Sequence, residues 1–156
     1  MGYYNMTLAE AVTSNINIAS YLVVFAILIT ASIIDIRVGR IPDKLIIAGA
    51  AIGLILSLFN PEHGLLQGLM TGTVAGLVML LVSWITKGGL GLGDVKLFGC
   101  IGIYLGLESI ASAMLISAIL SGFFSLVLLC INRDNKKREI PFAPFIMVGT
   151  LAAIIL

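Results

Sequence analysis

The nine Lys and Arg residues of this chain fall in three short gaps between apolar runs, and this segregation constrains the fold more than any other feature. A soluble protein would scatter its cations over its surface, whereas a membrane protein collects them in the loops that stay on the cytoplasmic side. The pattern therefore predicts a helical membrane protein with three basic connections on one side. The cations are Arg37, Arg40 and Lys44 in the first gap, Lys87 and Lys96 around the second, and Arg133, Lys136, Lys137 and Arg138 in the third.

Composition supports the membrane interpretation. The 156 residues are 60% hydrophobic and only 11% charged, whereas a soluble domain is about 25% charged. At this length we expect one membrane-embedded domain over residues 1–156, with the lipid bilayer as its main partner. The net charge of +1 gives no reason to expect a nucleic-acid partner, and the sequence leaves the oligomeric state open.

Apolar runs define the predicted spans. A spanning helix needs about 20 apolar residues; the third and fifth runs reach this length, and the second and fourth are short on their own. With the basic gaps inside, the chain crosses the bilayer six times, and both the N-terminus and the C-terminus lie outside. We therefore predict an all-α polytopic membrane protein with six transmembrane helices. The runs cover residues 18–34, 45–59, 65–86, 95–107, 109–131 and 141–156, with Leu107 and Glu108 as a tight connection.

Small residues recur at four-residue spacing in several runs, as at Gly68, Gly72 and Gly76 in the third. Such ridges let helix backbones approach closely where lipid supplies no hydrophobic drive. A serine-rich ridge in the fifth run could line a polar pathway, but close helix packing is the favoured interpretation.

Two acidic residues stand out once the predicted topology has been applied. Asp35 lies at the inner end of the first helix, and Asp94 at the inner start of the fourth, 59 positions later. Both carboxylates are therefore expected at the same membrane face, close to hydrocarbon, where acids are costly and often functional. Asp43 follows Pro42 and is expected to cap the second helix. The remaining acids are interpreted as loop charges: Glu10, Glu62, Glu108, Asp134 and Glu139.

Charge and position alone leave other roles for the two acids. Asp35 could pair with Arg37 or Arg40, and Asp94 could cap the fourth helix. A proton-relay pair in a small proton-coupled transporter, or a scaffold without catalytic activity, would also fit these positions.

The glycine-rich segment before Asp94 favours a protease. Four glycines within residues 88–93 let the backbone come close to an extended peptide. Other catalytic sets are poorly supplied, because His63 is on the outer side and Cys100 and Cys130 show no CxxC spacing. We predict buried thiols, no metal site and no cofactor. Two carboxylates that share one proton are the machinery of aspartic proteases.

Three segments then resemble the type IV prepilin peptidase family, whose members are polytopic GxGD aspartyl proteases. They are Asp35 to Asp43 (DIRVGRIPD), Gly91 to Lys96 (GLGDVK) and Pro141 to Phe145 (PFAPF). The resemblance covers about residues 20–156 and implies that Asp35 and Asp94 are the catalytic aspartates. Gly91, Gly93 and Lys96 are candidates for substrate binding, and the Pro141–Phe145 segment for structural or substrate-lining roles.

The resemblance implies an aspartic endopeptidase of a prokaryotic plasma membrane that works at the cytoplasmic face. Its substrate would be a pilin-like precursor with a short basic leader, a Gly at the cut and then a hydrophobic helix. Larger family members carry paired CxxC motifs in a cytoplasmic domain associated with N-methylation; this sequence contains no CxxC, so it resembles the short, peptidase-only members. A presenilin-type intramembrane protease, which shares GxGD, is the alternative enzyme.

Overall fold

The computed structural model describes residues 8–60, 64–87, 89–131 and 141–156, and all of their regular structure is helical. The predictions for His63, Gly88 and the basic connector 132–139 lie outside the described residues. The all-α prediction is confirmed. The helices are α1 (Leu8–Val38), α2 (Asp43–Phe59), α3 (Leu65–Ile85), α4 (Leu92–Ile131) and α5 (Ala143–Ile155).

Three stretches are long and apolar enough to cross a membrane, namely Val12–Val38, Leu65–Ile85 and Leu92–Leu128. Large apolar side chains also point away from the protein interior, as Leu66 and Trp84 show with 73% and 79% of their surface exposed. Water would penalise such a surface, whereas lipid accepts it. The chain is therefore a helical membrane protein, while the six crossings and the outer position of both termini stay predictions.

A single glycine interrupts the longest helix. Gly106 in α4 has φ 73° and ψ 169°, a conformation that glycine adopts without a side-chain clash. The break separates helical segments 92–105 and 107–131, and it falls one residue before the connection predicted at Leu107 and Glu108. Two helical segments are thus present where the sequence predicted the fourth and fifth spans.

The first helix begins earlier than the predicted run of 18–34, because α1 already includes polar residues from Leu8 onward. The side chain of Asn60, at the end of α2, donates a hydrogen bond of 2.8 Å to Asn17 Oδ1. The contact gives both amide side chains a hydrogen-bond partner between α1 and α2. Hydropathy alone counts such residues as unfavourable for a membrane span.

Glycines bring α3 and α4 into close contact. A Cβ atom built on Gly72 would lie 2.7 Å from the Gly99 carbonyl oxygen, and one on Gly102 would lie 3.0 Å from the Gly72 Cα. These distances leave no room for larger residues, so the small-residue ridge is a packing surface.

Four helix ends meet at one end of the molecule. The end of α1 reaches the start of α5 through Asp35 and Ala143, and the start of α2 reaches the start of α4 through Asp43 and Lys96. Fully buried apolar side chains pack beneath this end, among them Leu28, Phe98 and Ile146.

Candidate active site

The end of α1 positions Asp35. The Gly39 N–H donates a hydrogen bond of 2.8 Å to the Asp35 backbone carbonyl, and Gly39 has φ +67°. A left-handed glycine that closes this bond ends a helix, so Asp35 lies in the last turn of α1. The chain then turns to place Ile41, which is 8% exposed, in the interior between α1 and α2.

The loop before α4 positions Asp94. The N–H groups of Asp94 and Val95 donate to the Gly91 carbonyl at 3.1 and 3.3 Å, which starts the helix directly at the GxGD segment. A Cβ on Gly91 would lie 3.1 Å from Asp94 Oδ2, and one on Gly93 would lie 3.3 Å from the Ile41 Cβ. The Asp94 carboxylate therefore lies against a bare backbone, and the two loops pack on each other.

Ser83 anchors the other side of this loop. Its hydroxyl donates a hydrogen bond of 2.8 Å to the Leu90 carbonyl, and Ser83 itself is 7% exposed. Because Leu90 immediately precedes Gly91, this contact fixes the glycine segment to the end of α3. A tertiary contact therefore holds the start of the glycine-rich segment in place.

The structure brings Asp35 and Asp94 together. Each is only 8% exposed, and the two carboxyl groups interact electrostatically. Two buried carboxyl groups in the same part of a protein are unusual, because burying a negative charge is costly unless it is paired or hydrogen-bonded. Such a pair supplies one general base and one general acid.

Asp35 has a partner that the sequence did not predict. Its Oδ2 atom accepts a hydrogen bond of 3.1 Å from the backbone N–H of Ala143, which is 108 positions away and is the first residue of α5. The Pro141–Phe145 segment was assigned only structural or substrate-lining roles. Pro144, in the first turn of α5, marks a helix start in the sequence, and a helix start attracts carboxylates.

Aromatic contacts hold the start of α5 against α4. The rings of Phe98 and Phe142 lie 6.3 Å apart between centroids, and those of Phe124 and Phe145 lie 5.4 Å apart. Tilted pairs at these separations are favourable. Rings on either side of Ala143 in the sequence therefore hold the start of α5 against α4.

Two buried oxygen atoms near the pair have hydrogen-bonding capacity that the described residues do not use. They are Asp94 Oδ1 and Ser32 Oγ. Ser32 precedes Asp35 by three residues, and side chains at that spacing share one face of a helix. Buried polar groups normally find a partner, so this part of the site is suited to receive a polar group from a substrate or from water.

The predicted role of Asp43 as an N-cap is wrong, because Pro42 occupies the N-cap position of α2 and no side-chain cap hydrogen bond forms. The Asp43 carboxylate instead lies 2.7 Å from Lys96 Nζ in an exposed ion pair. Lys96 was a substrate-binding candidate, together with Gly91 and Gly93. In the structure the exposed Lys96 side chain is paired with Asp43. Gly91 lies against Asp94, and Gly93 lies against Ile41.

The two cysteines have different surroundings. Cys100 is buried as expected, but Cys130 is exposed, so the prediction of two buried thiols is half wrong. Within the described ranges, no three His, Cys, Asp or Glu residues group together as metal ligands would.

Comparison with known proteins gives a consistent result. The sequence model of the Type IV leader peptidase family matches residues 22–126. Proteins named prepilin leader peptidase/N-methyltransferase are similar to this chain: one from Bacillus subtilis (strain 168) is 30% identical over 84% of the chain and 53% of its own length. One from Burkholderia pseudomallei (strain 1026b) is 30% identical over 83% of the chain and 43% of its length. The chain thus spans about half the length of these relatives. No solved structure matches.

Proposed function

Because the chain belongs to the type IV leader peptidase family, we propose that it cleaves the leader peptide of type IV pilin-like precursors by a two-aspartate mechanism. The observation that carries the proposal is the burial of both Asp35 and Asp94, close enough to interact electrostatically, at the ends of two helices that are far apart in sequence. The names of the relatives support the substrate class.

The chemistry needs one water molecule and one shared proton. The ionised aspartate removes a proton from the water molecule, and the water oxygen attacks the scissile carbonyl carbon. At the same time the protonated aspartate donates its proton to the carbonyl oxygen. Collapse of the tetrahedral intermediate breaks the C–N bond, and the leaving nitrogen takes a proton from the pair. The products are a carboxyl terminus on the leader and a free amine on the mature protein.

Cleavage at the cytoplasmic face of a prokaryotic plasma membrane is part of the proposal. The basic gaps around Arg37 and Lys96 flank both aspartates, and short basic loops are retained in the cytoplasm. A precursor with a basic leader followed by an apolar helix would hold its cleavage site at the cytoplasmic face of the bilayer.

The experiment uses the purified chain in liposomes and a synthetic pilin-like precursor, with mass spectrometry of the products. The precursor carries a basic leader, a Gly at the intended cut and an apolar helix. We expect a single cut between the leader and the helix. Asp43→Asn is the matched control, since it neutralises an exposed acid at the same end of the molecule and should leave cleavage intact.

The other outcomes identify the alternatives. Cuts within the apolar helix of the precursor would indicate a presenilin-type protease, which hydrolyses bonds inside the membrane. Intact precursor after prolonged incubation, with correctly folded protein, would favour a non-enzymatic role for the two carboxyl groups, such as a proton relay in a transporter.

A further inference from the structure

The contact between Asp35 and α5 joins the site to a helix that no part of the proposed mechanism yet uses. The Ala143 N–H points at Asp35 Oδ2, and Ala143 itself is 0% exposed. The donor belongs to the backbone, so this contact does not depend on the identity of the side chain at 143.

The local structure makes this donor well suited to a negative charge. The first N–H groups of a helix have no partner within that helix, and the helix dipole places partial positive charge there. Hydrogen bonds from such a donor to an ionised carboxylate are stronger than those between neutral groups. Pro144 follows directly and has no N–H of its own, so Ala143 supplies the donor at this position.

Asp94 has different surroundings. Its Oδ2 atom lies close to the Gly91 backbone, but its Oδ1 atom is buried without a partner among the described residues. A full negative charge on this group would leave one oxygen desolvated and unbonded, which is costly. The shared proton is better held on Asp94, where it can be donated to an incoming carbonyl oxygen.

We propose that the first residue of α5 is a positioning element of the active site: its N–H fixes Asp35 as the ionised general base, while Asp94 carries the proton and acts as the general acid. The inference rests on the proposed peptidase function.

The charged groups around Asp35 are consistent with this assignment. Asp94 is the neighbour from α4, and the described part of α5 contributes no titratable group. Arg37 and Arg40 on the α1 side are exposed. From α2, Lys44 is exposed and Asp43 is paired with Lys96.

A backbone ester at position 143 tests the role of the N–H directly. Lactic acid, delivered to codon 143 on a chemically acylated suppressor tRNA, keeps the methyl side chain and replaces the N–H by oxygen. The same replacement at Ala152, inside α5, is the matched control, because it removes an ordinary helix N–H distant from Asp35. Precursor cleavage is then followed across pH in liposomes.

We expect the ester at 143 to lower kcat about tenfold, the effect of ~1.4 kcal/mol in activation free energy, with little change in KM. The acidic limb of the pH–rate profile, which reports protonation of the base, should move to higher pH by about one unit. The ester at 152 should leave both unchanged. A wild-type kcat and pH–rate profile for the ester at 143 would overturn the inference, because the Ala143 N–H would then have only a structural role. Cleavage by the unmodified protein in the same assay would still support the peptidase function.

A spectroscopic measurement on the unmodified protein covers the case in which the ester fails to fold. Labelling with ¹³C-carbonyl Phe and ¹⁵N-Ala selects the two Phe–Ala bonds of the chain, at Ala26 and Ala143. The Ala143 amide should titrate with the acidic limb of the rate profile, and Ala26, within α1, should not titrate. Titration of the Ala143 amide with the basic limb would show that Asp35 holds the proton in the active enzyme and would overturn the assignment.

Discussion

Lys96 Nζ lies 2.7 Å from Asp43 Oδ1, and this ion pair ties the start of α4 to the start of α2. Both side chains are more than half exposed, at 51% and 63%, and an exposed pair contributes only about 0.2–1 kcal/mol to stability. The pair therefore adds little to the stability of the fold, but it occupies the ammonium group of Lys96, a residue that the sequence made a candidate for substrate binding.

We predict that Asp43→Asn and Lys96→Gln each lower stability by less than ~1 kcal/mol and change cleavage equally little. A double-mutant cycle on thermal unfolding and on KM measures the coupling. If Lys96 binds the precursor, as the sequence suggested, Lys96→Gln will raise KM while Asp43→Asn leaves it unchanged. That result would contradict the prediction and show that Lys96 contacts the precursor, not only Asp43, during turnover.

Gly91→Ala should impair catalysis without unfolding the protein. The added Cβ would lie 3.1 Å from Asp94 Oδ2, so the carboxylate must move by a few tenths of an ångström. Because catalysis is sensitive to such displacements, we expect kcat to fall about tenfold. Single-turnover cleavage measures the effect.

Gly122→Ala is the control for this substitution. It likewise exchanges a glycine for alanine, here within α4, but a Cβ there meets nothing within 4 Å. It should leave kcat unchanged and stabilise the helix by up to ~1 kcal/mol. Equal activity of the two variants would contradict the placement of Asp94 against Gly91.

The α3–α4 contact offers a second matched pair, one turn apart on the same helix. A Cβ on Gly72 would lie 2.7 Å from the Gly99 carbonyl oxygen, whereas one on Gly76 would be in ordinary contact at 3.7 Å from the Gly99 Cα. Gly72→Ala should therefore destabilise the protein by about 1–3 kcal/mol, and Gly76→Ala should be neutral or stabilising. Thermal unfolding in detergent compares them, and indistinguishable midpoints would mean that the helices are farther apart than described.

Topology is tested by labelling with a membrane-impermeant maleimide in intact cells. The exposed Cys130 is first replaced by serine, and the buried Cys100 is kept. We expect Lys87→Cys to stay unlabelled until the membrane is permeabilised, because its gap is basic, and a cysteine appended after Leu156 to be labelled directly. External labelling at position 87 would invert the predicted orientation.

The sequence predicted that Asp35 and Asp94 lie at the same end of the helix bundle, because helix order determines which helix ends come together; that this end faces the cytoplasm stays a prediction. It could not predict the contact with Ala143, since a backbone donor leaves no signature in residue identity. It mistook Asp43 for a cap because Asp after Pro suits a helix start, while the competing partner, Lys96, is 53 positions away. The early start of α1 was missed because Asn17 is hydrogen-bonded to Asn60, a tertiary contact that hydropathy does not register.

The helix break was predicted closely, within one residue of Gly106, because Leu107 and Glu108 separate two apolar runs. Which glycine adopts a positive φ was not predictable, since this chain contains 17 glycines and most of those described lie within regular helices. The tertiary surroundings of each glycine, which the sequence does not reveal, decide whether it bends the chain or lets a neighbouring helix approach.

Cleavage of a pilin-like precursor by Asp35→Asn and Asp94→Asn variants in liposomes tests the account most directly. Each substitution keeps the size of the side chain and removes one member of the pair, so we expect both variants to insert and to unfold near the wild-type temperature. Cleavage should fall about a thousandfold in each, as expected for loss of a general acid or base, while Asp43→Asn retains it. Near-wild-type turnover by either variant would remove that aspartate from the chemistry and contradict the two-carboxylate mechanism.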